Sequence, residues 1–238
     1  MRKNPWTDRD VEAHWDRVAD IYVRENDRVK GTHDQRFRES IAYLMLKPGM
    51  KVLNITSRDA EANDYILRAR PGVDVVNAEI SKGLMEVAYR LRPSAKQVKI
   101  ESYSSLPFRT GEFQRILSLE TLEHAAEPLE FLEELHRVSV PEARMVLSCP
   151  PATSELPYRV YTALFGGHGE GPHRFPSSRT VRKMLRQTGW RLLDHKGTLL
   201  VPVGPAWMKR AGEKLIDRCQ GTFIAELGIR QFYICEKA

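Results

Sequence analysis

Between residues 51 and 149 the chain alternates short apolar runs with amphipathic segments, and no other feature constrains the fold as strongly. KVLNIT (51–56), VDVVNAEI (73–80), KQVKIE (96–101), FQRILSL (113–119) and ARMVLSC (143–149) read as strands. DAEANDYILRAR (59–70), SKGLMEVAYRLR (81–92) and PLEFLEELHRVS (128–139) read as helices, the last opened by a proline in its first turn. Alternation at this length makes βαβ units, and right-handed crossovers wind these into a parallel sheet with helices on both faces. WRLLDHKG (190–197) and RQFYICEK (230–237) add two later strands. The expected fold is therefore α/β: a doubly wound, mostly parallel seven-stranded sheet flanked by helices, of Rossmann-like type.

Further helices are predicted before the alternation, at 8–25 and 33–46, and after it, at 177–188 and 206–218. Residues 150–175, PPATSELPYRVYTALFGGHGEGPHRF, are rich in glycine and proline around an aromatic, helix-like centre. A connection this long in a compact domain reads as a lid or binding segment, here a cap inserted after the fifth strand. No clean linker interrupts the chain. The expectation is a single domain over 1–238: N-terminal helices (1–47), a ligand-binding half (48–151), the cap (152–176) and a C-terminal half facing the substrate (177–238).

Composition narrows the function classes. A chain of 238 residues with 42% hydrophobic and 29% charged residues sustains its own core, which excludes global disorder. No apolar run approaches the roughly 18 residues of a membrane span. The opening MRKNPWTDRD lacks an apolar signal region, so no signal peptide is expected. Cys149, Cys219 and Cys235 are scattered, with no CxxC. That spacing predicts no metal site and a reducing, cytoplasmic setting. The net charge of +6 comes from basic residues interspersed with acids, which reads as a solvated surface and not as a nucleic-acid face. Arg179, Arg182, Lys183 and Arg186 illustrate this, with Val181, Met184 and Leu185 on the opposite face of their helix.

In an open α/β sheet ligands bind beyond the carboxyl ends of the strands. This points to Thr56, Glu79, Ser102 and Leu119. Glu79 closes the second strand, where an acid accepts both hydrogen bonds of a ribose diol. SLETLEH (118–124) puts carboxylates and an imidazole together at the end of the fourth strand. His124 is a candidate general base, with Glu123 beside it; the plainer reading is that either one caps the following loop.

The segment FQRILSLETLEHAAEPLEFLEELHRVSVPEARMVLSCPP (113–151) resembles the class I S-adenosylmethionine-dependent methyltransferases, particularly the bacterial type 11 group. VVNAEISKGLME (75–86) is similar to that group's V-G-V-D-I-S-x-x-M-L, and SLPF (105–108) to its D-L-P-F. The likeness runs over residues 40–151. GEGPHRF (169–175) and GIRQFYICEK (228–237) resemble members that modify small molecules, lipids or glycans. The resemblance implies S-adenosylmethionine as cofactor, held by Asn54, Thr56, Ser57, Arg58, Glu79, Ile80, Ser102, Ser118 and Leu119. It implies methyl transfer to an oxygen or nitrogen of such an acceptor. His124 and Glu123 are then the candidate bases, with His173 or His168 delivered from the cap. Trp15 and Tyr22 either close over the cofactor or simply pack their helix.

Departures from the pattern open a second reading. The family's first loop is V-L-D-I-G-C-G-T-G; here Thr56, Arg58 and Ala60 replace its glycines and Asn54 its aspartate. Side chains there either strain the turn by roughly 1–3 kcal/mol or move the loop. Arg58 either pairs with the cofactor's carboxylate or fills its pocket. Ser102 stands for the adenine-binding acid, Gln114 for the aspartate of F-D, and Glu142-Ala143 for Gly-Gly. A methyltransferase fold without catalysis, acting as a binding or scaffold subunit, is the alternative. It would commit an apolar surface around Trp207, Leu215, Ile216, Phe223, Ile224 and Leu227 to a protein partner. Nucleic-acid methylation is set aside, because Leu119-Glu120-Thr121-Leu122 stands where an Asn/Asp-Pro-Pro-aromatic turn is needed.

Overall fold

A computed structural model describes residues 4–28, 30–165, 171–202 and 204–238. Two helices, α1 (Asp8–Arg28) and α2 (Lys30–Leu44), precede the alternating core of β1 (Lys51–Ile55), α3 (Glu61–Ala69), β2 (Asp74–Glu79), α4 (Lys82–Leu91), β3 (Gln97–Lys99), β4 (Phe113–Leu119), α5 (Pro128–Val138) and β5 (Ser139–Cys149). A 3-10 turn (Ala152–Ser154) and α6 (Glu155–Phe165) follow, then α7 (Ser178–Gln187), β6 (Trp190–Thr198), α8 (Ala206–Arg218), a second 3-10 turn (Ala225–Leu227) and β7 (Arg230–Lys237). The strands form one seven-stranded sheet in the order β3-β2-β1-β4-β5-β7-β6. Pairing is parallel from β3 to β5, and β7 runs antiparallel between β5 and β6. The chain thus builds outward from β1 to β3, then returns to β4 beside β1. The resulting switch point between β1 and β4 is where an open α/β sheet presents its ligand crevice.

Side chains alternate across the sheet as strand geometry requires. Leu53 and Ile55 of β1 face one core with Trp15, Ile80, Leu84, Phe131 and Trp190. Val52 faces the other, with Phe37, Ile41, Ile66, Leu117 and Phe232. On α7, Val181, Met184 and Leu185 are buried as their spacing predicts. Several boundaries differ from the sequence reading, among them α2, which runs Lys30–Leu44 instead of 33–46, and two have a clear local cause. β5 begins at Ser139, because the backbone becomes extended directly after α5 and Ser139 pairs with Phe113. α3 begins at Glu61, because left-handed residues run through the preceding loop up to its N-cap, Ala60.

α1 is latched over the crevice by two carboxylates. Asp16 accepts from the Ser81 hydroxyl and the Gly83 amide (2.7 and 3.0 Å), which ties α1 to the start of α4. Gly83 permits this approach: a Cβ there would stand 3.0 Å from the Ala19 methyl and 3.3 Å from the Asp16 carbonyl oxygen. Asp8 accepts from the Ser102 hydroxyl and the amides of Tyr103 and Ala126.

Candidate functional site

The loop after β1 determines the shape of the crevice. Thr56, Arg58 and Ala60 have φ of 57°, 55° and 60°, so all three residues that stand for glycines adopt the left-handed backbone a glycine would supply. The loop has not moved; it carries the strain. The same holds at Glu142, in the Gly-Gly position, with φ 59°. The Ser57 amide donates to the Ala78 carbonyl (3.0 Å), fixing the loop against β2.

Glu79 lies at the end of β2 and is wholly buried. Its Oε2 accepts from the Arg58 amide (2.7 Å), and its Oε1 accepts from the amides of Ile80 and Ser81 (both 2.9 Å). Three of its roughly four acceptor sites are therefore taken by the chain's own backbone. The Arg58 side chain lies across the crevice, its guanidinium carbon 3.5 Å from the centroid of the Trp15 ring. A cation on the face of an indole at that distance is a favourable stack. Tyr103, buried just after β3, has Thr56, Glu79 and Arg58 as the polar neighbours of its hydroxyl, and burial raises its pKa. Ser102 is turned to Asp8, and Ile80 belongs to the core.

The other predicted residues divide. Asn54 points away from the crevice: its Nδ2 donates to Asn77 Oδ1 (2.8 Å), whose own amide donates to Asn63 (3.2 Å), a buried ladder under α3. Ser118 is buried within β4, and Leu119 packs in the core on the α2 side. His124 is wholly buried, with its ring edge to face with Trp15 at 5.8 Å. Its Nδ1 lies 2.9 Å from the Pro172 carbonyl and therefore carries the proton, leaving Nε2 as the basic atom. Burial, and then the Arg58 charge, depress its pKa to about 3. Glu123 is buried beside it, and its carbonyl accepts from the Arg174 amide (2.9 Å). His173 lies 6.5 Å from His124 between ring centroids, with the Phe175 ring tilted against it at 4.7 Å. The structure thus brings Thr56, Ser57, Arg58, Glu79, His124 and His173 to one crevice, while Asn54 and Leu119 lie elsewhere. His168 lies outside the described residues.

Sequence reasoning missed three contributors. Asp8 and Asp16 carry no local motif, since only the tertiary placement of α1 gives them partners. The third is a buried cluster beside the crevice. Glu120 directly follows β4 with φ 53° and is bound by Arg36 of α2 and by Arg230 at the start of β7 (2.8 Å). Both guanidiniums are more than nine-tenths buried, and together they hold the Glu120 carboxyl well below the usual range. His33 lies against Arg36, and burial together with the Arg36 charge lowers its pKa to about 3. Among the described residues no group of three or more His, Cys, Asp and Glu is placed to hold a metal.

The site thus resembles a nucleotide-cofactor cradle in backbone and departs from one in several side chains, Arg58 the largest of them. The left-handed turn, the strand-end acid and the lid of α1 suit S-adenosylmethionine. The Arg58 side chain lies against the Trp15 ring beside this loop and Glu79. Arg58 is half-buried, and so retains a path to solvent.

The comparisons agree with this geometry. A methyltransferase-domain family model matches residues 61–147, beginning just after the altered loop. A demethylmenaquinone methyltransferase of Paenarthrobacter aurescens is 30% identical over 140 residues, 58% of this chain and 54% of that protein, so the chain spans about half of that relative's length. Another, from Beutenbergia cavernae, is 28% identical over 207 residues, covering 79% and 85%. Among solved structures the [4+2]-cyclase SpnF superposes with a TM-score of 0.72 at 14% identity, covering 100% of this chain and 98% of that one. Geranyl diphosphate C-methyltransferase from Streptomyces coelicolor follows with 0.64 at 13%, covering 87% and 81%. At such identities the structures speak for the fold alone. The matched family model, the curated relatives and the seven-stranded sheet together make this chain similar to the methyltransferases in sequence and in fold.

Proposed function

We propose that this protein transfers a methyl group from S-adenosylmethionine to an oxygen or nitrogen of a small-molecule, lipid or glycan acceptor. One observation carries this reading: Thr56, Arg58 and Ala60 keep the left-handed turn without a glycine. Each such residue costs roughly 1–3 kcal/mol, and backbone strain of this kind persists where function uses the geometry. The cofactor would lie between the 56–60 loop, Glu79 and Trp15, and would supply an electrophilic methyl group. The chain's own residues then orient and exclude water. Glu79 retains about one free acceptor position for a ribose hydroxyl. α1 and Trp15 cover the crevice, and His124 presents a bare Nε2. Once the Arg58 charge withdraws, the largest cause after burial that depresses His124 is removed, and it becomes a better proton acceptor.

The Arg58 stack on Trp15 also favours a second reading, a family member that has given up catalysis and serves as a binding subunit. Calorimetric titration with S-adenosylmethionine and S-adenosylhomocysteine separates the two. The expected result is weak binding by the natural chain and at least tenfold tighter binding by Arg58→Gly. Loss of binding in that variant would mean that Arg58 holds the cofactor's carboxylate instead. Silence from both proteins at millimolar ligand would reject methyl transfer and favour the binding-subunit reading.

A further inference from the structure

α8 has two unlike sides. Inward, Gly212 and Ile216 are buried, and a Cβ on Gly212 would stand 2.8 Å from Val201. Its two acids are tied to the body: Glu213 accepts from the Leu199 amide and from Gln35 (2.9 and 3.0 Å), and Asp217 pairs with Lys196 (3.1 Å). Outward, Trp207, Ala211, Lys214, Leu215 and Arg218 follow one another at i, i+4, i+7, i+8 and i+11, a single exposed stripe. Trp207 is 66% exposed, and Phe223 in the turn after the helix is 71% exposed. Lys209, Arg210, Lys214 and Arg218 are also exposed, and none meets a carboxylate within ion-pair distance among the described residues. The surface therefore offers large apolar side chains ringed by uncompensated positive charge.

This stripe lies at the crevice end of the sheet. The turn that carries Phe223 and Leu227 continues into Arg230, which reaches Glu120 at the end of β4. The Glu226 carbonyl accepts from Thr153, just after β5 (2.9 Å). Among the described residues no helix is long and apolar enough to cross a membrane, so contact with lipid would be peripheral.

We propose that α8 and the 219–227 turn dock this protein on an anionic lipid bilayer. Trp207 and Phe223 enter the headgroup–acyl boundary while Arg210, Lys214 and Arg218 meet lipid phosphates. Tryptophan and leucine beside lysine and arginine on one exposed helix face, with a phenylalanine in the turn that follows, make a surface suited to a membrane interface. Long basic side chains also lie along an apolar surface while keeping their charge at its edge. Docking in this pose turns the crevice end of the sheet toward the bilayer and selects a lipid acceptor. That last step rests on the methyltransferase reading above; the docking itself does not.

Cosedimentation of the full chain with vesicles tests this, comparing phosphatidylcholine alone with phosphatidylcholine containing phosphatidylglycerol. The expected result is pelleting with the anionic vesicles only, weakened by salt. The paired variants Trp207→Ala with Phe223→Ala and Lys214→Glu with Arg218→Glu should each bind at least tenfold more weakly. These positions are exposed, so both variants should fold. Trp15 and Trp190 are buried and Trp6 is half-buried with its indole N–H bound to the His124 carbonyl, so a blue shift of tryptophan emission on binding should vanish in Trp207→Phe while pelleting persists. Pelleting that is absent, equal on both vesicles, or unchanged in the variants would overturn the proposal. So would a natural chain that is dimeric by light scattering, becomes monomeric in Trp207→Ala with Phe223→Ala, and pellets in neither form. The cofactor titration above is read without vesicles. Cofactor binding without pelleting would reject docking alone, and pelleting without cofactor binding would reject methyl transfer alone.

Discussion

The two loops that frame the crevice have diverged in opposite ways. The loop after β1 lacks the glycines of the pattern it resembles yet holds their left-handed backbone at residues 56, 58 and 60. The segment after β4 keeps a family-like sequence, yet its polar groups are turned inward: Glu120 lies between Arg36 and Arg230, and His124 is sealed beneath Trp15. Loop shape here is imposed by the strands and helices on either side. What each loop presents is decided by single side chains. Conformation and chemistry can therefore change separately.

The sharpest break in this comparison comes from Glu120. Substituting Gln leaves two buried guanidiniums facing each other without their counter-charge. Breaking a buried ion pair from one side costs about 3–5 kcal/mol. The lower end applies, because the Glu120 side chain is still 27% exposed. A loss near 3 kcal/mol lowers the melting temperature by roughly 6–12 °C for a chain of this size. Urea titration checks this, and a loss under about 1 kcal/mol, the ceiling for an exposed pair, would make Glu120 a surface charge.

A pH titration sharpens it further. His33 and His124 have folded pKa values of about 3, below the 6.5 of an unfolded histidine. Between these values the unfolded chain binds more protons than the folded one. The stability that each neutral imidazole contributes is present above pH 6.5 and is lost as pH falls toward 3. Each contributes a slope of up to about 1.4 kcal/mol per pH unit. In His124→Gln the slope should fall and His33 should remain; an unchanged slope would place His124 in water.

Much of the fold was legible from the sequence because it rests on local periodicity. The strands of the 51–149 alternation, the sheet they build and the strand-end position of Glu79 all follow from patterns a few residues long. The loop's departure at Thr56, Arg58 and Ala60 was legible too, although the sequence left open whether the turn would strain or move. Contacts made only in three dimensions were not legible. Asp8 and Asp16 are ordinary helix acids until α1 lies on α4. Glu120 reads as one more strand-end carboxylate until β7 brings Arg230 beside it, 110 residues later. Asn54 reads as a cofactor ligand by position, yet it faces the other side of β1, where Asn77 satisfies it. His124 reads as a base by residue type, and its burial sets how weak a base it is.

The smallest expected effect isolates backbone from side chain. Ala60 has φ 60° and packs with Ala88 and Ala95. Ala60→Gly removes the left-handed penalty, about 1–2 kcal/mol for a residue with a Cβ. It also removes one buried methyl, worth about 0.8 kcal/mol. The net gain should lie near 0.5 kcal/mol, within reach of paired urea titrations. Arg58→Gly relieves the same backbone term but gives up the stack on Trp15, about 0.5–2 kcal/mol. It should therefore gain less stability than Ala60→Gly, or lose some, while opening the crevice. If Ala60→Gly destabilises the protein by more than the lost methyl, the turn is not strained. The loop's shape would then be no evidence that a ligand once required it.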